Sequence, residues 1–385
     1  MIINNNREWK YSIPFDSKLY KQVSNFAEQL DSENKYLMQN TIELHRNHFS
    51  FEQMYNVYLK VKKDDEKLEQ LKQFVYKNNK CLIYCPKELV VYYSNIIKEK
   101  HYEDRYFLNK ILKYCSNVKP VYIMEKYYKI IFGKYYKSII KTLNSYSKGK
   151  VKPIEEEKVN RYLLIYETEQ ILRGLRKNLV VQDEFGISKI RECKSLIKTK
   201  FGFGSWHSKE VSGENYFTIH SNSYSLTHRQ LENMVYSNVY PGKAHLYNNI
   251  LTPKFNKTFD HGANLLINGW GQYCAWKLKN DTFNKHNKYI NSKIIKFLFS
   301  KDYDKGLNEL YCFLLTNFEK KQAMDMYIMI TQYPDKFESY FLGAIAIDLL
   351  VKKGFVSEGE DLIKKLKTMD CGDYFANYIK KKEGR

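Results

Sequence analysis

The chain has 385 residues, of which 43% are hydrophobic and 16% aromatic; it can bury enough apolar surface to offset its ordering entropy, which excludes a disordered protein and leaves room for an enzyme-sized cleft. Only 17 Gly and 7 Pro stand against abundant Lys, Glu, Leu, Ile and Tyr, a supply that favours helices over turn-rich sheets. Lys and Arg outnumber Asp and Glu by 63 to 43, a formal charge of +20. Such a charge attracts polyanions, but no zinc finger, aromatic ribonucleoprotein signature or glycine-flanked loop accompanies it, so nucleic acid is a weak expectation.

The N-terminal stretch MIINNNREWKYSIPF has no long apolar segment. The most apolar run, Phe341 to Val351, carries Asp348 and is too short to span a bilayer, so neither export nor a membrane anchor is expected. Cys81, Cys85, Cys115, Cys193, Cys274, Cys312 and Cys371 are odd in number and widely spread, unlike a disulfide framework, and point to a reducing cytoplasm.

From Asp16 to Asn79 apolar residues recur at three- and four-residue intervals through several segments, the mark of amphipathic packing helices. His45 and His48, and Cys81 with Cys85, have near metal-ligand spacing but lack the second half of a site, and read as ordinary helix residues or buried thiols. Ser, Gly, Pro and charge in Tyr146 to Glu157 mark a loop. It divides an N-terminal helical subdomain, 1–150, from a second helical domain, 151–385. A long helix is expected from Glu155 through Asn178, then Gly-, Ser- and Phe-rich loop, then a small β element near 215–224, where NYFTIHSNS alternates as a strand does.

Thr227 and Gln230 form a capping-box pattern that starts a helix near His228, running toward Tyr240. Pro241 and Gly242 interrupt it, because proline lacks a backbone donor and glycine weakens helix interiors. Further helices are expected over Leu265 to Leu278, with a small-residue and aromatic face, and over Lys320 to Leu350, which repeats a Tyr-Pro followed by Tyr and Gly. The fold class is therefore mainly α.

In order and spacing, Pro241-Gly242, Gly269-Trp270 with Tyr273, and Gln332-Tyr333-Pro334 with Tyr340 and Gly343 resemble the motifs of the domain-of-unknown-function 885 family. These are mainly helical proteins that look like zinc metallopeptidases. The family motifs read His-Glu-x-x-Pro-Gly-His, then Glu-Gly-Trp-Ala with a Tyr, then Gln-Tyr-Pro with Tyr-x-x-Gly. The likeness spans roughly Tyr216 to Phe355 and implies a multi-helical metallopeptidase-like architecture.

The ligand positions are replaced. Ser237 and Asn238 stand for the first His and Glu, Lys243 for the second His, and Asn268 for the Glu before Gly-Trp. Leu310 and Leu314 match an Asp and a His of a helix between the later motifs. Zinc needs imidazole, thiolate or carboxylate, and a carboxylate usually activates its water, so neither metal nor other cofactor is expected. The resemblance implies that Ser237, Asn238, Tyr240, Lys243, Asn268 and Tyr340 line one vestigial cleft. The leading expectation is a non-hydrolytic pseudoenzyme that binds a peptide-like ligand or a protein partner there. The alternative is an enzyme rebuilt for metal-free chemistry on an amide, thioester or peptidyl substrate, with Cys274, His245 and Lys243 as candidate catalytic groups, while His228 and His261 also lie near the motifs. A basic nucleic-acid-binding protein is the weaker alternative.

Overall fold

The fold is that of a computed structural model, which describes residues 50–79, 82–118, 128–129, 132, 135–149, 157–178, 189–193, 204–207, 216–220, 226–239, 241–244, 246, 261–277, 281–332 and 334–353. The chain is mainly helical. In order, the described elements are α1 (Phe51–Val61), α2 (Asp65–Lys77), α3 (Lys87–Lys100), α4 (Arg105–Ser116), α5 (Tyr136–Tyr146) and α6 (Leu164–Asn178). Strands β1 (Lys189–Cys193), β2 (Gly204–His207) and β3 (Tyr216–His220) follow. Then come α7 (His228–Asn238), α8 (His261–Trp276), α9 (Asp281–Leu298), α10 (Tyr303–Asn317), α11 (Lys320–Gln332) and α12 (Pro334–Lys352). No described helix is long and apolar enough to cross a membrane.

The chain divides into two compact units, Met1–Tyr127 with Phe297–Pro334, and Tyr128–Lys296 with Asp335–Arg385. A late segment, Phe297–Pro334, returns to the first unit. Tyr84 donates to Asp304 at 2.6 Å and Tyr327 to Glu88 at 3.1 Å, pairs 220 and 239 residues apart in sequence.

In the first unit α1 is buried on nearly all sides, through Phe51, Met54, Tyr55, Val57, Tyr58 and Val61. Asp64 caps α2 by accepting the Lys67 N–H at 3.1 Å. The buried stripe of α4, Phe107, Leu108, Ile111, Leu112 and Cys115, recurs at helical spacing and turns Tyr106, Lys110 and Lys113 outward. Buried His101 ties α1 to the turn before α4. Its Nε2 lies 2.8 Å from the Tyr55 hydroxyl and its Nδ1 3.3 Å from that of Tyr58, which donates to Asp104 at 2.9 Å. Burial lowers the His101 pKa, with Lys62 nearby acting the same way.

In the second unit the sheet has the order β1-β3-β2, with β1 parallel and β2 antiparallel to β3. The alternation read near 215–224 is β3: Phe217 and Ile219 point into a core with Leu164, Leu226, Leu231 and Val235. Three expectations need correction. The stretch read as loop holds β2. The long helix begins at Leu164 rather than Glu155, because Lys158 bridges to Thr227 and the Val159 N–H donates to the Leu226 carbonyl at 2.7 Å, drawing 158–159 into extended pairing. The helix begun at His228 ends at Asn238, short of Tyr240.

Candidate functional site at a broken helix

Helix α7 starts as its sequence dictates. Thr227 accepts the Gln230 N–H at 3.2 Å and Gln230 accepts the Thr227 N–H at 3.0 Å, a reciprocal capping box. Leu231, Met234 and Val235 are buried, and the helix stops before Pro241, which has no N–H to donate. The end leaves carbonyls without helical partners. Within the last turn, Met234 O also accepts from two side chains, Ser237 Oγ at 3.1 Å and Asn238 Nδ2 at 2.9 Å, and Asn238 Nδ2 also donates to Ser237 Oγ at 3.1 Å. Gly242 folds back onto the Tyr236 and Ser237 carbonyls, where a Cβ would overlap backbone. Glycine is thus required by close approach. Lys243 and Ala244 then resume a helical turn.

Helix α8 packs on this break. Trp270 Nε1 donates to the Pro241 carbonyl at 2.7 Å, and the Cys274 thiol, one turn on, reaches the same oxygen at 3.6 Å. Gly271 lies against the Ser237 carbonyl, and a Cβ there would come within 2.9 Å of Lys243 Cγ. One turn earlier Asn268 Nδ2 donates to Ser339 Oγ of α12 at 2.8 Å. Beside it Gly269 and Gly343 let α8 and α12 cross backbone to backbone, since a Cβ on Gly343 would lie 2.8 Å from Gly269 Cα. From the same helix Tyr340 takes Lys243: the ammonium donates to the phenol and lies 3.7 Å from the ring centroid.

These links bring Ser237, Asn238, Lys243, Asn268 and Tyr340 to one meeting of α7, α8 and α12. Tyr240 and His245 lie outside the described residues, as do Tyr333, His45, His48 and Cys81. His228 is exposed at the opposite end of α7, and His261 opens α8, about two turns before Asn268. Leu310 and Leu314 are buried on α10 in the first unit. Cys85, also there, is buried with its N–H donating to the Cys115 carbonyl at 3.1 Å, and burial raises both thiol pKa values.

The electrostatics restrict the chemistry. Burial pushes the Cys274 thiol far up, and it points at the Pro241 carbonyl as a donor. The thiolate is the reactive form, and burial disfavours it at Cys274; His245, its candidate partner, lies outside the described residues. The donor set does not fit zinc either: Ser237, Asn238, Lys243 and Asn268 offer hydroxyl, amide and ammonium, where zinc selects imidazole, thiolate and carboxylate. Among the described residues no three His, Cys, Asp or Glu gather where they would hold a metal ion.

Sequence reasoning passed over three neighbours. Gly271 was legible as the second glycine of Gly-Trp-Gly, and Ser339 only as the residue before Tyr340. Glu338 had no signal: it is wholly buried on α12, neither carboxyl oxygen has a hydrogen-bond partner among the described residues, and burial drives its pKa well above the usual carboxylate range. No protein-family model matches the chain, and no curated protein matches it. The likeness to the domain-of-unknown-function 885 family therefore rests on the quoted residues alone.

Proposed function

We propose that the chain is a non-hydrolytic relative of zinc peptidases that binds a peptide-like ligand where α7, α8 and α12 meet, and that it works without a metal. The observation that carries this reading is the gathering of buried Lys243 with Asn268, Ser339 and Tyr340 beside a helix break. Buried polar groups are costly unless they are matched, so their concentration at one point calls for a reason beyond packing. Pro241, Asn268 and Tyr340 are half-exposed, which gives a ligand a side from which to enter.

In this reading the Lys243 ammonium exchanges the Tyr340 phenol for a ligand carboxylate, a stronger, charge-assisted partner. The Asn268 amide and Ser339 hydroxyl offer the donor and acceptor that a peptide unit needs. Amide, hydroxyl and phenol groups are suited to hydrogen-bond a peptide unit, which is why binding rather than turnover is proposed.

The test is retention of short peptides with free or amidated C-termini, measured by equilibrium dialysis and mass spectrometry. Free-carboxylate peptides should be retained selectively. Lys243→Met should weaken that retention by about tenfold or more, the scale of a charge-assisted hydrogen bond, while the circular dichroism spectrum is unchanged. Equal retention of both peptide classes, or an unaffected Lys243→Met variant, would remove the proposal.

A further inference from the structure

We propose a second, separate site in the first unit: a single-stranded nucleic-acid surface built from Tyr76, Tyr102, Tyr106 and Lys110. It lies on the outward side of α4, the turn before it, and the end of α2. Tyr102 is 83% exposed, Tyr106 75% and Tyr76 36%. The Lys110 ammonium lies between two of these rings, 4.4 Å from the Tyr76 centroid and 5.7 Å from that of Tyr106.

Two of these rings flank one cation and Tyr102 stands exposed in the turn before α4, whereas Tyr55, Tyr58, Tyr93 and Tyr327 are buried. Tyr106, Lys110 and Lys113 follow one another at helical spacing opposite the buried stripe of α4. No acid occurs anywhere in α4. Of the two acids just before it, Asp104 already accepts from Tyr58 at 2.9 Å and lies 3.9 Å from the Lys72 ammonium, while Glu103 is exposed beside Tyr102.

The chemistry selects the occupant. Exposed rings offer stacking faces to unpaired bases, and interleaved cations neutralise the phosphates between them, the pattern by which single strands are held without sequence readout. A Pro-rich peptide would use the rings and leave the lysines idle. A membrane surface would call for exposed Leu, Phe or Trp beside the basic residues; the outward side of α4 shows Tyr106, Asn109, Lys110 and Lys113 instead. The chain's formal charge of +20 adds long-range attraction for the strand.

The experiment uses the full chain and fluorescence anisotropy with a labelled thymidine or uridine strand about 20 nucleotides long, between about 50 and 200 mM salt. Binding should weaken log-linearly with salt. Tyr102→Ala/Tyr106→Ala should lower affinity about 100-fold, whereas Tyr102→Phe/Tyr106→Phe should bind as the parent does. Lys110→Gln should reduce the salt slope by about one. Unchanged thermal melting of each variant, expected for such exposed rings, separates lost contacts from lost fold. No binding at the lowest salt, a double-alanine variant that binds like the parent, or ring-dependent binding to anionic vesicles or an acidic peptide in place of the strand would each overturn the proposal.

Discussion

Replacing Gly343 with alanine sets two effects against each other at the centre of the second unit. Alanine is the better helix former by about 1 kcal/mol, which favours the variant. Against this, the new Cβ would stand 2.8 Å from Gly269 Cα and 3.2 Å from Gly269 N, and would overlap the Leu265 carbonyl. Carbon atoms pack at about 3.5–4.0 Å, so α12 must move off α8 by roughly 1 Å, and no side chain can give way because all three neighbours are backbone. Overpacking of this kind costs about 1–3 kcal/mol, at the upper end where backbone meets backbone. The net expectation is a loss of about 2 kcal/mol, or a fall of roughly 4–8 °C in melting temperature for a unit of this size. Gly174 in α6 is the control, since a Cβ there meets nothing within 4 Å. Gly174→Ala should stabilise by up to about 1 kcal/mol. Both variants are compared by urea titration and calorimetry. A Gly343→Ala protein within about 0.5 kcal/mol of the parent, or the same sign in both variants, would refute the close crossing of α8 and α12.

Two further expectations concern single groups. Thr227→Ala removes the side-chain half of the capping box and should cost about 1 kcal/mol, read as a lowered urea midpoint; Thr227→Ser should restore most of it. Glu338 titrates in the unfolded chain near pH 4.3 but remains protonated well above that when buried. Its folded pKa is raised, so its contribution is fully present below about pH 4.3 and is lost as pH rises, at most about 1.4 kcal/mol per pH unit. Glu338→Gln should therefore give a flatter stability curve from pH 5 to 8, and parallel curves for parent and variant would count against the unpartnered carboxyl.

What could be read from sequence was local. The capping box at Thr227, the stop at Pro241 and the alternation of Phe217 and Ile219 each depend on residues within a few positions of one another. What could not be read was pairing at a distance. Lys158 leaves its helix because Thr227 meets it from far along the chain, and β1 pairs in parallel with a strand whose partner residues are unmarked in its own sequence. The compact units are hidden for the same reason, since Tyr84 does not announce Asp304. At the candidate site the broken helix was legible, and Asn268 and Tyr340 were named only through the resemblance. The Asn268–Ser339 bond, across 71 residues, and the buried carboxyl of Glu338 were not legible, because a polar residue on an apolar helix looks the same whether it faces a partner, a ligand or nothing.

The helix break itself has a physical reason to persist whatever the site binds. A continuous helix would turn its carbonyls toward its own N–H groups, and α8 would then meet a surface with nothing to accept from Trp270 or Cys274. Stopping at Asn238 leaves the Pro241 carbonyl outside the ladder and open to the Trp270 donor, and Pro241, with no N–H of its own, cannot extend the helix. The Trp270 bond contributes about 0.5–1.5 kcal/mol net, and the glycines at 242 and 271 bring the backbones close enough for the bonds to form. Removing the break would therefore strand the Trp270 donor in a buried contact, which costs more than the bond itself contributes. The Pro-Gly pair is thus held by helix packing, and the buried side chains of Ser237 and Asn238 brace the turn before it through the Met234 carbonyl.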